Sequence, residues 1–114
     1  MSGTANAFQK AAAHIEQMRK DCIYTDGALP SRTKALAAML WSVSVRCEPC
    51  LAHYARKAIE LGASRDELAE MLAIASVMGG CVGETWALKA FAAVKPGATG
   101  TLVGDHDPAC CTHG

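Results

Sequence analysis

Two thiols three residues apart, followed one turn later by an imidazole and a phenol, are the groups in this chain best placed to do chemistry: Arg46-Cys47-Glu48-Pro49-Cys50-Leu51-Ala52-His53-Tyr54. Pro49 suits the first turn of a helix and disfavours helix at the residue before it, so Cys47 or Glu48 is the expected cap. Free backbone N–H groups at a helix start favour thiolate over thiol, lowering the pKa of whichever sulfur lies nearest them. The second cysteine can then close a disulfide on an oxidised or mixed-disulfide form of the first. Such a pair can cycle between dithiol and disulfide. At about 100° per residue, His53 lies roughly 60° from Cys50 around the helix; Tyr54 lies roughly 40° from it on the other side and about 20° from Cys47. Both reach the thiol zone, and the spacing does not choose between them.

Other uses of these thiols have their own requirements. A structural zinc site needs four ligands, usually from two Cys-x-x-Cys knuckles. The only other Cys/His cluster is His106, Cys110, Cys111 and His113, near the C-terminus. That segment could bind a soft or borderline metal ion, although adjacent cysteines seldom both ligate one tetrahedral ion comfortably. It could instead pass electrons to Cys47 and Cys50 as a second dithiol. Inert packing at a helix start is the third reading of the central pair, and packing as small hydrophobes is the expectation for Cys22 and Cys81.

The elements that must position these groups are helical throughout, because every periodic segment repeats at three or four residues and none alternates as a strand would. The fold class is therefore all-α, a bundle of about five to six helices. A first helix over about 5–21 carries Phe8, Ala12, Ile15 and Met18 as its apolar stripe, and Thr25-Asp26-Gly27 breaks it. Ser31, after Pro30, is the expected N-cap of a second helix running to about Arg46, with Leu36, Met39, Leu40 and Val43 facing inward. In the third helix Leu51, Ala55, Ala58 and Ile59 face inward and Arg56, Lys57 and Glu60 stay wet, with Gly62 as the C′ glycine. Ser64-Arg65-Asp66-Glu67 is a capping box opening a fourth helix that presents Leu68, Met71, Leu72, Ala75 and Met78 and ends at Gly79-Gly80. A fifth, roughly 83–94, presents Trp86, Ala87, Ala90, Phe91 and Val94, and Pro96-Gly97 stops it. Trp41, Met39, Met71 and Met78 sit at apolar spacing and read as core or subunit interface. The chain thus divides into an N-terminal helix and turn (1–29), a core (30–96) and a flexible tail (97–114).

At 114 residues the chain is one domain's worth, and eleven basic against eleven acidic side chains leave no net charge to draw it to nucleic acid or anionic lipid. No basic stretch leads into an apolar h-region at the N-terminus, and the weakly charged run from Met71 to Gly83 is too short to span a bilayer. A cytoplasmic protein is expected, so its six cysteines are catalytic or metal-binding candidates rather than a disulfide framework. No strand leads into a glycine-rich turn and helix, and no haem, flavin or nicotinamide signature is present; no cofactor is expected.

From about Pro30 to Ala93 the sequence resembles the alkyl hydroperoxidase D (AhpD)-like and carboxymuconolactone decarboxylase-like family. The likeness rests on the run TKALAAMLWSVSVRCEPCLAHYARKAIELGASRDELAEMLAIASVMGG, with its RCEPC helix start, ELGAS and closing Met-Gly-Gly. The resemblance implies an all-helical protein that associates through apolar helix faces into a homo-oligomer, a trimer or hexamer. It implies an enzyme that reduces a peroxide or disulfide, with Cys50 as the peroxide-facing thiol and Cys47 as its resolving partner. The implied electron donor is a dithiol such as a lipoyl carrier. His53 is then the candidate proton carrier and Tyr54 an orienting hydroxyl. Two positions depart from the peroxidase pattern: its glutamate, twelve residues before the first cysteine, is Ala35 here, and its histidine, four after the second, is Tyr54, with His53 one place early. Glu48 or Glu84 could substitute for the glutamate. The alternatives are a decarboxylase-like relative without redox chemistry, which would need an anion pocket built from Arg46 and Lys34, and a non-catalytic or metal-binding helical module.

Overall fold

The computed structural model describes residues 3–94, all of whose regular structure is helical. Four helices follow one another: α1 (Gly3–Cys22), α2 (Ser31–Ser44), α3 (Glu48–Glu60) and α4 (Arg65–Ala92). The C-terminal residues, including the candidate metal or relay cluster His106, Cys110, Cys111 and His113, lie outside the described residues.

The junctions explain where each helix stops. Ser31 is not the N-cap of α2 but its first helical residue; Pro30 occupies the cap position and has no side-chain donor or acceptor to offer. Asp26 supplies the missing acceptor from the preceding turn, its Oδ1 taking the Ser31 N–H at 2.7 Å. That bond holds the Asp26 carboxyl below its ordinary pKa. At the other end α2 closes at Ser44, two residues short of the expected Arg46. Cys47 N–H bonds to the Ser42 carbonyl at 3.0 Å and Arg46 N–H to the Val43 carbonyl at 3.1 Å, the paired bonds of a Schellman motif. Its C′ position, where glycine is usual, is held by Arg46 at φ 58°. The same motif ends α3, here with Gly62 at φ 109°, Gly62 N–H on Ile59 and Ala63 N–H on Ala58. The Ser64–Glu67 capping box then forms with both of its reciprocal bonds.

α4 is two arms rather than one rod. Gly80, at φ 60° and ψ −140°, breaks the helical path. Beyond it the chain runs back along itself: the Arg65 guanidinium lies 4.3 Å from the centre of the Phe91 ring and donates to the Val94 carbonyl. Closer to the reversal, a Cβ on Gly83 would collide with the Ala75 carbonyl. The expected break at Gly79-Gly80 is therefore present, with helix resuming at Cys81 and no sixth helix among the described residues. By length and apolarity α4 alone could cross a membrane. The reversal leaves neither arm near the about 20 residues that a crossing needs.

α2, α3 and α4 enclose the core, built from Leu36, Met39, Val43, Leu51, Leu68 and Leu72 with many alanines between them. The alanines let the helix axes approach closely, so even Ala35, Ala55, Ala58 and Ala90 are wholly buried. α1 lies outside this packing and touches the other helices only sparsely. Its stripe of Phe8, Ile15 and Met18 faces solvent, Phe8 at 72% exposure. Other positions of apolar spacing are also exposed: Trp41 at 70% and Met78 at 80%. Cys22 and Cys81, expected to be buried, are exposed as well.

Candidate active site

Cys47 is the N-cap of α3, extended at φ −98° and ψ 100°, with Pro49 in the first turn and no side-chain cap bond. Its carbonyl accepts the Leu51 N–H at 2.9 Å, which begins the helix with Cys50 inside its first turn. Both thiols are free and half-buried. The Schellman motif on one side and the helix start on the other thus clamp the backbone of Cys47.

The electrostatics differ from the simple helix-start expectation at Cys50. Its pKa is raised, first by the hydrogen bond with Cys47, which keeps the proton on Cys50, and then by burial; the Arg19 charge acts in the opposite direction.

Tyr54, one turn beyond Cys50, is buried. Its hydroxyl oxygen accepts from Arg19 Nε on α1 at 2.8 Å. Glu16, one turn back on α1, holds the same guanidinium at 3.0 Å and is the main reason that the Arg19 pKa is raised. His53 points to the outer side of α3, where its Nε2 lies 3.0 Å from the Tyr24 hydroxyl. Its ring meets Tyr54 edge-on at 4.8 Å between centres. Partial burial first, then the charge of Arg19, lowers the His53 pKa, with Lys57 and Arg56 acting in the same sense and Glu16 against them. Burial above all pushes Tyr24 up to about 12, helped by neighbouring Tyr54. Lys57 Nζ caps the Tyr24 ring at 4.6 Å.

All four sequence-singled residues, Cys47, Cys50, His53 and Tyr54, therefore come together on the first two turns of α3. Glu16, Arg19 and Tyr24 were not expected there. The one legible trace of Glu16 and Arg19 is the polar edge of α1, which reads equally well as a solvated face, and Tyr24 lies past its end. Ala35 lies in the core, where a glutamate would be a buried charge. Lys34 and Arg46 sit at opposite ends of α2: Lys34 acts on Asp26, while Arg46 follows the helix's last turn. They do not share an anion pocket. Arg56 and Lys57, expected to be wet, are half-buried, and Arg56 Nη1 has no hydrogen-bond partner among the described residues. Beside the site, an apolar groove of about 510 Å³ runs between α2 and the reversal of α4, lined by Leu40, Trp41, Ile74, Met78 and Val82 with Arg46 on its rim.

Comparison with known proteins gives the family. The carboxymuconolactone decarboxylase family model matches residues 9–93, and the chain belongs to that family. It is 36% identical over 90 residues to an uncharacterized protein of Cupriavidus necator, covering 79% of this chain and 80% of that one. The crystal structure of the apo form of a carboxymuconolactone decarboxylase family protein from Legionella pneumophila superposes with a TM-score of 0.69 at 30% identity, covering 77% of this chain and 78% of the other.

Proposed function

We propose that this family member is a thiol-dependent oxidoreductase that reduces a peroxide or a disulfide with Cys47 and Cys50. The observation that supports it is the pair of free, half-buried thiols at the start of α3, Cys47 at the N-cap and Cys50 in the first turn. In the peroxide reaction the Cys50 thiolate attacks one oxygen of the hydroperoxide. The O–O bond breaks, the other oxygen leaves as an alcohol or water after taking a proton, and Cys50 becomes a sulfenic acid. The Cys47 thiol displaces that hydroxyl as water and the disulfide forms. A dithiol donor such as a dihydrolipoyl group then reduces the disulfide by exchange and is itself oxidised. Cys50 takes the attacking role because the family resemblance assigns it there. Its raised pKa makes a nearby proton acceptor necessary, and a neutral His53 supplies one. With Ala35 in place of a glutamate, peroxide turnover is expected on the order of 10²–10⁴-fold below that of a site with the full relay.

The exposed apolar side chains of α1, α2 and α4, Phe8, Trp41, Val77 and Met78 among them, suit a homo-oligomer that covers them. The test of the activity is peroxide consumption driven by dihydrolipoamide, with Cys47→Ser and Cys50→Ser beside the wild type and the disulfide mapped by mass spectrometry. Turnover that either substitution abolishes upholds the reading. Failure of Cys47 and Cys50 to pair under any oxidant overturns it.

A further inference from the structure

Two hydrogen bonds tie the N-terminal segment to the active-site helix, and both end on the residues that follow the dithiol. Arg19 of α1 donates to the Tyr54 hydroxyl at 2.8 Å, and Tyr24, just past the end of α1, meets His53 Nε2 at 3.0 Å. Ile23 and Tyr24 rest against the core, but packing does not explain the Arg19 contact, since α1 leaves its apolar stripe in solvent and touches the other helices sparsely. What α1 delivers to the core is a cation, and Glu16 fixes that cation from one turn away at 3.0 Å.

We propose that Arg19, oriented by Glu16, is a positioning residue of the dithiol site: it fixes the Tyr54 hydroxyl one turn from Cys50 and brings a positive charge to that end of α3. This assignment rests on the redox reading above and replaces, with groups carried in from α1, the glutamate that Ala35 omits. Two polar contacts thus flank the start of α3, Glu16–Arg19–Tyr54 on one side and Tyr24–His53 on the other. The proton that leaves Cys50 is assigned to the neutral His53 imidazole, and the imidazolium so formed returns it to the departing alkoxide or hydroxide. Proton count is conserved over the step.

The charged groups that act on the two ends are few. On Cys50 they are Cys47, which keeps the proton in place, and Arg19, which opposes it. On His53 they are Arg19, Lys57 and Arg56, which disfavour the imidazolium, and Glu16, which favours it. Arg19 thus acts at both ends in the direction that the chemistry needs in the resting enzyme, a more accessible thiolate and a neutral base.

The test follows iodoacetamide alkylation of Cys50 in the reduced full-length protein from pH 6 to 10, quantified by mass spectrometry, in wild type, Arg19→Gln, Arg19→Lys and Tyr54→Phe, with far-UV circular dichroism to establish folding. Arg19→Gln is expected to move the profile to higher pH and slow alkylation at pH 7.5 about threefold or more, because reactivity follows the thiolate fraction. Arg19→Lys, which keeps the charge, should recover most of that loss, and Tyr54→Phe should give a smaller shift in the same direction. A folded Arg19→Gln whose profile superposes on wild type overturns the proposal. So does an Arg19→Lys as impaired as Arg19→Gln, which would reduce the contact to a structural tether. Alkylation needs neither peroxide nor reductant, so a shifted profile in a protein that consumes no peroxide would keep the Arg19 assignment and reject the peroxidase reading.

Discussion

At the scale of single residues, the site is governed by who holds the proton. Cys50 is kept as a thiol first by Cys47, so removing that partner should free it. In Cys47→Ala, Cys50 is expected to alkylate faster than in the wild type at pH 7.5, measured by the same mass-spectrometric assay. His53 gives a second prediction. Its folded pKa is lowered from the ordinary 6.5, chiefly by burial. Between those two values the unfolded chain binds a proton that the folded chain refuses, so stability falls as pH falls through that window and is unaffected by this group above it. Thermal melts at pH 7.5 and 5.5 should therefore differ more in the wild type than in His53→Gln. An equal difference in both would assign the acid sensitivity to other groups.

At the scale of elements, the helix ends are where single changes act most strongly. Arg46 sits in the left-handed region beside Cys47, a conformation that costs an L-residue roughly 1–2 kcal/mol. Arg46→Gly should relieve about 1 kcal/mol of this and raise the melting temperature by a few degrees. It leaves the Schellman bonds that clamp Cys47 in place. Gly83→Ala acts in the opposite sense, because its methyl group meets the Ala75 carbonyl, which is backbone and cannot swing aside. A loss of about 1–3 kcal/mol is expected in denaturant unfolding, as for other forced overpacking. Ser64→Ala removes one half of the capping box and should cost about 1 kcal/mol.

At the scale of the whole molecule, large apolar side chains stand in solvent on three of the helices. Trp41, Val77, Met78 and Val82 surround the α4 reversal, and Phe8, Ile15 and Met18 line α1. Contiguous exposed patches of this kind mark interaction sites more often than bare surface. If copies of the chain cover them, Met78→Glu should shift sedimentation toward the monomer without unfolding it, since Met78 contributes nothing to the core of the single chain. Unchanged sedimentation would place the interface elsewhere.

Local chemistry alone determined much of this protein. The helical class, a helix start capped at Cys47 or Glu48, the Gly62 terminus, the Ser64–Glu67 box and the break near Gly80 follow from interactions within four or five residues, and those survive whatever the rest of the chain does. The grouping of Cys47, Cys50, His53 and Tyr54 was legible for the same reason, since all four ride on one helix start. Tertiary structure decided what crosses between elements. The Arg19–Tyr54 and Tyr24–His53 bonds join residues 35 and 29 positions apart. No periodicity distinguishes such a partner from any other polar residue on a solvated face. Burial was decided there too: amphipathic spacing shows which face of α1 is apolar, but only the packing of α2, α3 and α4 shows that this face, with Trp41, Met78, Cys22 and Cys81, stays outside the core.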